Sequence, residues 1–275
     1  MVELVTLIRQ HPLITFFLLA FGLTWLAWVP RAMGVPVGVL DQLSTWLVTV
    51  AAVVAALLTG GRSALKDLGA RVLRWRVSWI WYGVVLVGPA LFSSLAAGIV
   101  VLLGGSWTSA APSVLVGGSW ALLGLFLLGA MLTDGLGEEM AWRGFALPRL
   151  LTRYTPLLAS LLLGLLWGLW HLPLIWTEGR FLHHQPLWLL LLDITAKSVL
   201  FTWVFLHTNG SVLIAALFHA ATNVFLVSPT NPSDGDLTLP LVAVGLKWVL
   251  VVLVVTRGGF TGPVQRREQR TAVLR

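Results

Sequence analysis

Stretches of about twenty mainly apolar residues, broken by short polar segments, repeat along the whole chain, and each is long enough for a helix to cross a bilayer. They fall near residues 13–32, 42–60, 78–104, 114–146, 156–176, 187–207, 211–228 and 238–256. The pattern predicts an all-α polytopic membrane protein, a bundle of about eight transmembrane helices. They form a single domain over residues 1–256, followed by a basic cytoplasmic tail over 257–275. No polar stretch is long enough to bury a second, soluble core. The run 114–146 admits two readings. Either a short span ends near Thr133 and an interfacial helix follows, or one long helix carries the polar residues after Thr133 into the membrane.

The polar segments between the runs are not equivalent. Residues 61–77 hold Arg62, Lys66, Arg71, Arg74 and Arg76 against Asp67 alone, and residues 147–155 hold Arg149 and Arg153. The alternate connections are neutral at 104–112 or acidic at 228–238, where Asp234 and Asp236 lie. Basic loops stay on the cytoplasmic side, so an even number of helices places both termini in the cytoplasm. The first apolar run, Leu13 to Val29, has no small-residue cleavage site after it and reads as a retained helix.

Composition sharpens the class. Only 11% of the 275 residues are charged, well under the roughly 25% of soluble domains. The net charge of +7 would suggest nucleic acid in a soluble protein, but here it sits in the short segments that orient helices, so no nucleic-acid partner is expected. The 15 Trp fit an interfacial belt and helix packing. With no cysteine, thiolate chemistry is excluded and any metal site must use His and carboxylate.

Ionised groups inside such runs are expensive and mark functional candidates. Glu138 and Glu139 open the stretch Glu138-Glu139-Met140-Ala141-Trp142-Arg143. Residues four apart share a helix face, so Glu139 can pair with Arg143, while Glu138 points about 100° away without that partner. Glu139 is then structural, and Glu138 is free to act as a general base. Asp134 shares Glu138's face, and Gly135 and Gly137 suggest close helix packing there. His219 and Asn223 form a second pair four apart, whose donors suit an oxyanion. His171 follows Trp167 by one turn, and that aromatic can fix the ring or line a substrate slot. Asp193 and Lys197 pair on one helix, and Lys247 needs a carboxylate for which Asp193 is the candidate. His11, His183, His184 and His207 lie at helix ends or in loops and stay outside the site.

The three motifs, Glu138-Glu139-x-x-x-Arg143, Trp167-x-x-x-His171 and His219-x-x-x-Asn223, resemble those of the CPBP (CAAX protease and bacteriocin-processing) intramembrane peptidases. Type II CAAX prenyl endopeptidases are the eukaryotic relatives. The continuation Arg143-Gly144-Phe145 and Pro148-Arg149-Leu150 also looks like that family. The resemblance covers 134–227, and Trp167 stands where Phe is the more usual residue. It implies a cavity open toward the cytoplasm, water activation by Glu138 and His171, an oxyanion hole from His219 and Asn223, and support by Glu139 and Arg143. For Glu138 to meet deep-lying His171 and His219, the fourth helix must enter the membrane, running to about Leu147 with Pro148 ending it.

The resulting expectation is an intramembrane endopeptidase of a prokaryotic plasma membrane, acting on a membrane-associated protein or peptide. A metal-free glutamate mechanism is expected without a cofactor. Zinc on Glu138, His171 and His219 is the alternative, although the zinc-protease helix motif is absent. A proton- or ion-coupled transporter and a non-enzymatic membrane immunity scaffold are the other functional readings. Nothing in the sequence specifies oligomeric state or whether the substrate is prenylated.

Overall fold

The computed structural model of the protein describes residues 2–105, 120–179, 182–183, 185–225 and 237–260. The helices are α1 (Val2–Gln10), α2 (Pro12–Ala32), α3 (Val39–Val72), α4 (Trp79–Leu102), α5 (Trp120–Leu151), α6 (Pro156–Trp170), α7 (Leu187–His207), α8 (Val212–Val224) and α9 (Thr238–Thr256). A short 3-10 stretch, Leu172–Trp176, follows α6. Among the described residues there is no β-strand. The acidic and neutral connections, His184 and most of the basic tail lie outside the described residues.

Among the described residues seven helices are long and apolar enough to cross a membrane. The seventh expected span, 211–228, is the exception, with a shorter helix among the described residues. As α8 it has 13 residues, about 20 Å, against a hydrocarbon core of about 30 Å. Leu18, Leu26, Leu91 and Leu102 stand exposed on outer faces, as lipid-facing residues should.

Three departures from the apolar pattern have local causes. The second helix does not stop near residue 60. It kinks at Gly61, where φ is 60°, and continues to Val72 because Ala64, Leu65, Leu68 and Val72 recur at helical spacing and pack inward. The fifth span leaves α geometry after Trp170 because Pro173 lacks the N–H that would continue the ladder. Pro148, expected to end the fourth helix, lies within it, and α5 runs to Leu151. Pro148 enters at the start of an α-helical turn that follows a π-helical stretch, where the lost donor costs least.

The core forms where α2, α3, α5 and α6 meet. Ala51, Ala52, Ala55 and Ala56 of α3 are fully buried, and their small side chains let α2 and α5 approach closely. Phe16 of α2 fills that space against Trp142 and Phe145 of α5, with ring centroids at 5.6 and 5.2 Å. On the other side α6 meets α7 through Gly164, where an added Cβ would lie 2.7 Å from the Thr195 backbone. The turn between α7 and α8 uses left-handed backbone at Asn209 and Gly210. The Arg74 guanidinium bonds the Asn209 carbonyl, and Ser211 Oγ donates to the Arg74 carbonyl at 2.5 Å. That turn and the basic segment after α3 therefore share one end of the bundle.

Candidate active site

The glutamates lie in an irregular part of α5. Met131–Gly135 and Met140–Ala146 are π-helical, flanking the short α-helical stretch Leu136–Glu139. Such wide turns leave backbone carbonyls without their usual partner and occur often at functional sites. Between the two wide turns, the hydroxyl of Thr49 on α3 donates to the Gly137 carbonyl at 2.7 Å. Gly135 and Gly137 permit the close approach the sequence suggested. A Cβ on Gly135 would meet the Ala216 carbonyl of α8 at 2.6 Å.

The two glutamates separate as their spacing predicts. Glu139 Oε1 accepts from Arg143 Nη1 at 3.0 Å, and neither residue reaches solvent. The Arg143 guanidinium lies over the rings of Trp167 and Phe201, 4.5 and 4.7 Å from their centroids. That stacking partly offsets its burial, because Nε and Nη2 have no hydrogen-bond acceptor among the described residues. Among the described residues Glu138 has no cationic partner at hydrogen-bond distance. Its Oε2 accepts from two indoles, Trp167 Nε1 at 2.7 Å and Trp142 Nε1 at 3.2 Å. Both donors fall on one oxygen, and among the described residues none falls on Oε1.

His219 is placed differently from the sequence reading. Its Nδ1 lies 2.9 Å from Glu139 Oε1, so the supporting glutamate holds the imidazole as well as the arginine. A carboxylate only accepts, so Nδ1 carries the proton and Nε2 is left for other work. His171 caps α6, and its Nδ1 lies 2.9 Å from the Trp167 carbonyl. By the same reasoning its Nε2 is the unprotonated nitrogen of the neutral ring. Trp28 and Trp170 flank that ring at 5.9 and 4.8 Å, and Trp25 of α2 donates to the Trp170 carbonyl at the helix end.

Trp167 is the hub of the cluster. Its N–H holds Glu138, its carbonyl holds His171, and its ring faces Arg143 and, at 5.7 Å, His219. Asn223 sits at the exposed edge, where Nδ2 donates to Asp134 Oδ2 at 3.1 Å. Four of the sequence-derived residues thus converge directly around Trp167, namely Glu138, Arg143, His171 and His219. Asn223 joins through Asp134, one helical turn before Glu138. Missed from the sequence were Trp142 and the Glu139–His219 bond. The spacing of Trp142 from Glu138 matches that of Arg143 from Glu139 and carried the signal for the first.

Among the described residues no three His, Asp or Glu side chains are grouped to hold one metal ion. The atoms that a zinc ion on Glu138, His171 and His219 would use are those these bonds leave over, Glu138 Oε1 and the two Nε2 atoms, since a metal-bound imidazole ordinarily gives its other nitrogen to a carboxylate or carbonyl.

Residues 119–225 match the family described as Type II CAAX prenyl endopeptidase Rce1-like. Over 93 residues the chain is 36% identical to CAAX prenyl protease 2 of Methanococcus maripaludis. That stretch covers 32% of this chain and 34% of the relative, about a third of each. All three motifs fall inside the matched segment. Over this segment, then, the chain is similar to the CAAX prenyl endopeptidases that its motifs resemble.

Proposed function

We propose that the protein is an intramembrane endopeptidase that hydrolyses a peptide bond in a membrane-associated protein or peptide, with Glu138 as general base. The observation that carries this reading is the division of labour between adjacent glutamates. Glu139 is locked between Arg143 and His219, while Glu138 is fixed by two neutral donors on one oxygen and keeps the other for water.

Water bound at Glu138 Oε1 gives a proton to that carboxylate as its oxygen attacks the carbonyl carbon. His171 Nε2 accepts the second water O–H and aims the attacking lone pair. Negative charge develops on the carbonyl oxygen, where His219 Nε2 and Asn223 Nδ2 donate. Donation by His219 requires its protonated form, and Glu139 balances that charge through Nδ1. Collapse of the tetrahedral intermediate breaks the C–N bond, and Glu138 returns its proton to the leaving nitrogen. No step uses a metal or other cofactor. The bilayer is the second partner, because Glu138 and His171 lie on segments long and apolar enough to cross it. By the charge bias of its loops, the protein sits with both termini in the cytoplasm.

Glu138→Gln keeps the shape of the side chain and both indole contacts through its amide oxygen. In purified protein that matches wild type in thermal stability, it should abolish cleavage of a membrane-peptide substrate. Retained cleavage would remove Glu138 from the mechanism. An ion-pathway reading instead predicts substrate-independent proton flux in liposomes, lost in the same variant.

A further inference from the structure

The charged residues that the proposed chemistry leaves unused form a second buried cluster. Helices α4, α7 and α9 enclose a cavity of about 300 Å³, a size that accommodates a small organic ligand. Its walls are mainly apolar, with Val84 from α4, Leu200 from α7 and Val244 and Leu250 from α9, and Ser93, His183, Gln185 and Thr222 add polar groups at the lining. Into it project Asp193 and Lys197 of α7 and Lys247 of α9, each with less than a fifth of its side chain exposed. Lys197 Nζ lies 2.7 Å from Asp193 Oδ2, and Lys247 bonds Oδ1 of the same carboxylate. Lys247 Nζ also lies 5.6 Å from the Phe92 ring.

Two ammonium groups thus share one carboxylate, and both carboxylate oxygens are already taken. Each ammonium has three N–H donors, of which Asp193 uses one. Among the described residues no second acid reaches either lysine. A clamp between α7 and α9 needs only Asp193 and Lys247, and a neutral pair on α7 needs only Asp193 and Lys197. Among the described residues the additional cation, held between largely apolar walls, has no structural account, and an unmatched charge there is costly. A small hydrated anion would lose its water on entering such walls. An apolar chain that carries its own anion satisfies both the walls and the charge.

We propose that this cavity binds a long-chain carboxylate, an amphiphile of the fatty-acid type, with its head on Lys197 and Lys247 and its chain along α4 and α9. The site lies beside the residues proposed for hydrolysis and adjoins them through Phe201, whose ring also faces Arg143 and His219, and through Thr222, whose hydroxyl donates to the His219 carbonyl.

Trp203 lines the cavity and supplies the readout, because bromine atoms quench indole fluorescence on contact. The full chain, purified in a neutral detergent at alkaline pH, is titrated with 9,10-dibromostearate and separately with its methyl ester. The acid should bind about tenfold or more tightly than the ester, the discrimination expected of charge-assisted hydrogen bonds. Lys247→Met leaves the Asp193–Lys197 pair balanced and should bring the two ligands to equal affinity. If that variant does not fold, Lys197→Met keeps the α7–α9 clamp and should do the same. Trp203→Phe should remove the quenching that discriminates the two ligands. Equal affinity of acid and ester in the wild type, or a preference that survives loss of the extra lysine, would overturn the proposal. So would displacement of the acid by moderate chloride, which would mean that the lysines hold a small anion. None of these readouts depends on peptide hydrolysis.

Discussion

Replacing Trp167 with Phe isolates the single bond that orients the proposed base. The substitution keeps an aromatic face for Arg143, now 4.5 Å from the Trp167 ring, and keeps the backbone carbonyl that holds His171. It removes the N–H that reaches Glu138 Oε2 at 2.7 Å. A hydrogen bond to a charged group contributes about 1.5–3 kcal/mol, which converts to roughly a 10- to 100-fold effect. The longer contact from Trp142, at 3.2 Å, persists and holds the carboxylate in part, so the lower end applies. The turnover number should therefore fall about tenfold with KM little changed, since the indole N–H faces the base rather than the peptide. Trp142→Phe should give the opposite pattern. Its contact with Glu138 is weaker, but its fully buried ring packs on Phe16 and Trp170, so thermal stability falls more than turnover. The assay is steady-state cleavage of a quenched fluorogenic membrane peptide in detergent or proteoliposomes. Smaller ring volume is controlled by a benzothienyl amino acid at position 167, which has the indole shape without its N–H. Full turnover in that analogue would refute any role for the bond.

Three further outcomes follow from the same geometry. Glu139→Gln leaves the buried Arg143 charge without its counter-ion and should destabilise the protein by about 3–5 kcal/mol in chemical denaturation, with Arg143→Met on the same background recovering part of the loss. Gly135→Ala should push α5 from the Ala216 carbonyl, costing about 1–3 kcal/mol and lowering activity, whereas an unchanged melting temperature would mean that the helices separate freely. Dialysis against EDTA should leave peptide cleavage intact, and loss of activity restored by zinc would return Glu138, His171 and His219 to a metal site.

Much of this architecture is legible in the sequence because the bilayer imposes a length and a polarity on each helix. The spans from Pro12, Trp79, Pro156, Leu187 and Thr238 begin within a residue or so of where the apolar runs place them. The Glu139–Arg143 pair follows from spacing on one turn, and the Lys247–Asp193 contact follows from the cost of a lone ammonium in hydrocarbon. What escaped depends on neighbours that are distant in sequence or on backbone that departs from α geometry. His219 reaches Glu139 across 80 residues, and Asn223 reaches Asp134 across 89. The π-helical turns carry no residue signature, since Met131–Gly135 and Met140–Ala146 contain ordinary helix formers beside glycines. Pro148 misleads because proline ends a helix only where its missing N–H was needed. Trp167 is visible in its motif as bulk, whereas its role as a donor depends on Glu138, 29 residues away.

Each wide turn of α5 holds one residue more than an α-helix would need, so it acts as a phase shift along the helix. An α-helix advances about 100° per residue. Deleting one residue from Met131–Gly135 would let that stretch relax to α geometry and swing the lipid-facing Trp120–Ala130 by that angle relative to the glutamates. Deleting one from Met140–Ala146 would do the same to the anchoring segment Leu147–Leu151. The four residues Leu136–Glu139 are thus indexed on both sides by an insertion, like a key cut between two notches. A single-residue deletion in either turn that removes none of the site's side chains should silence this protein, and a compensating insertion within the same turn should restore it.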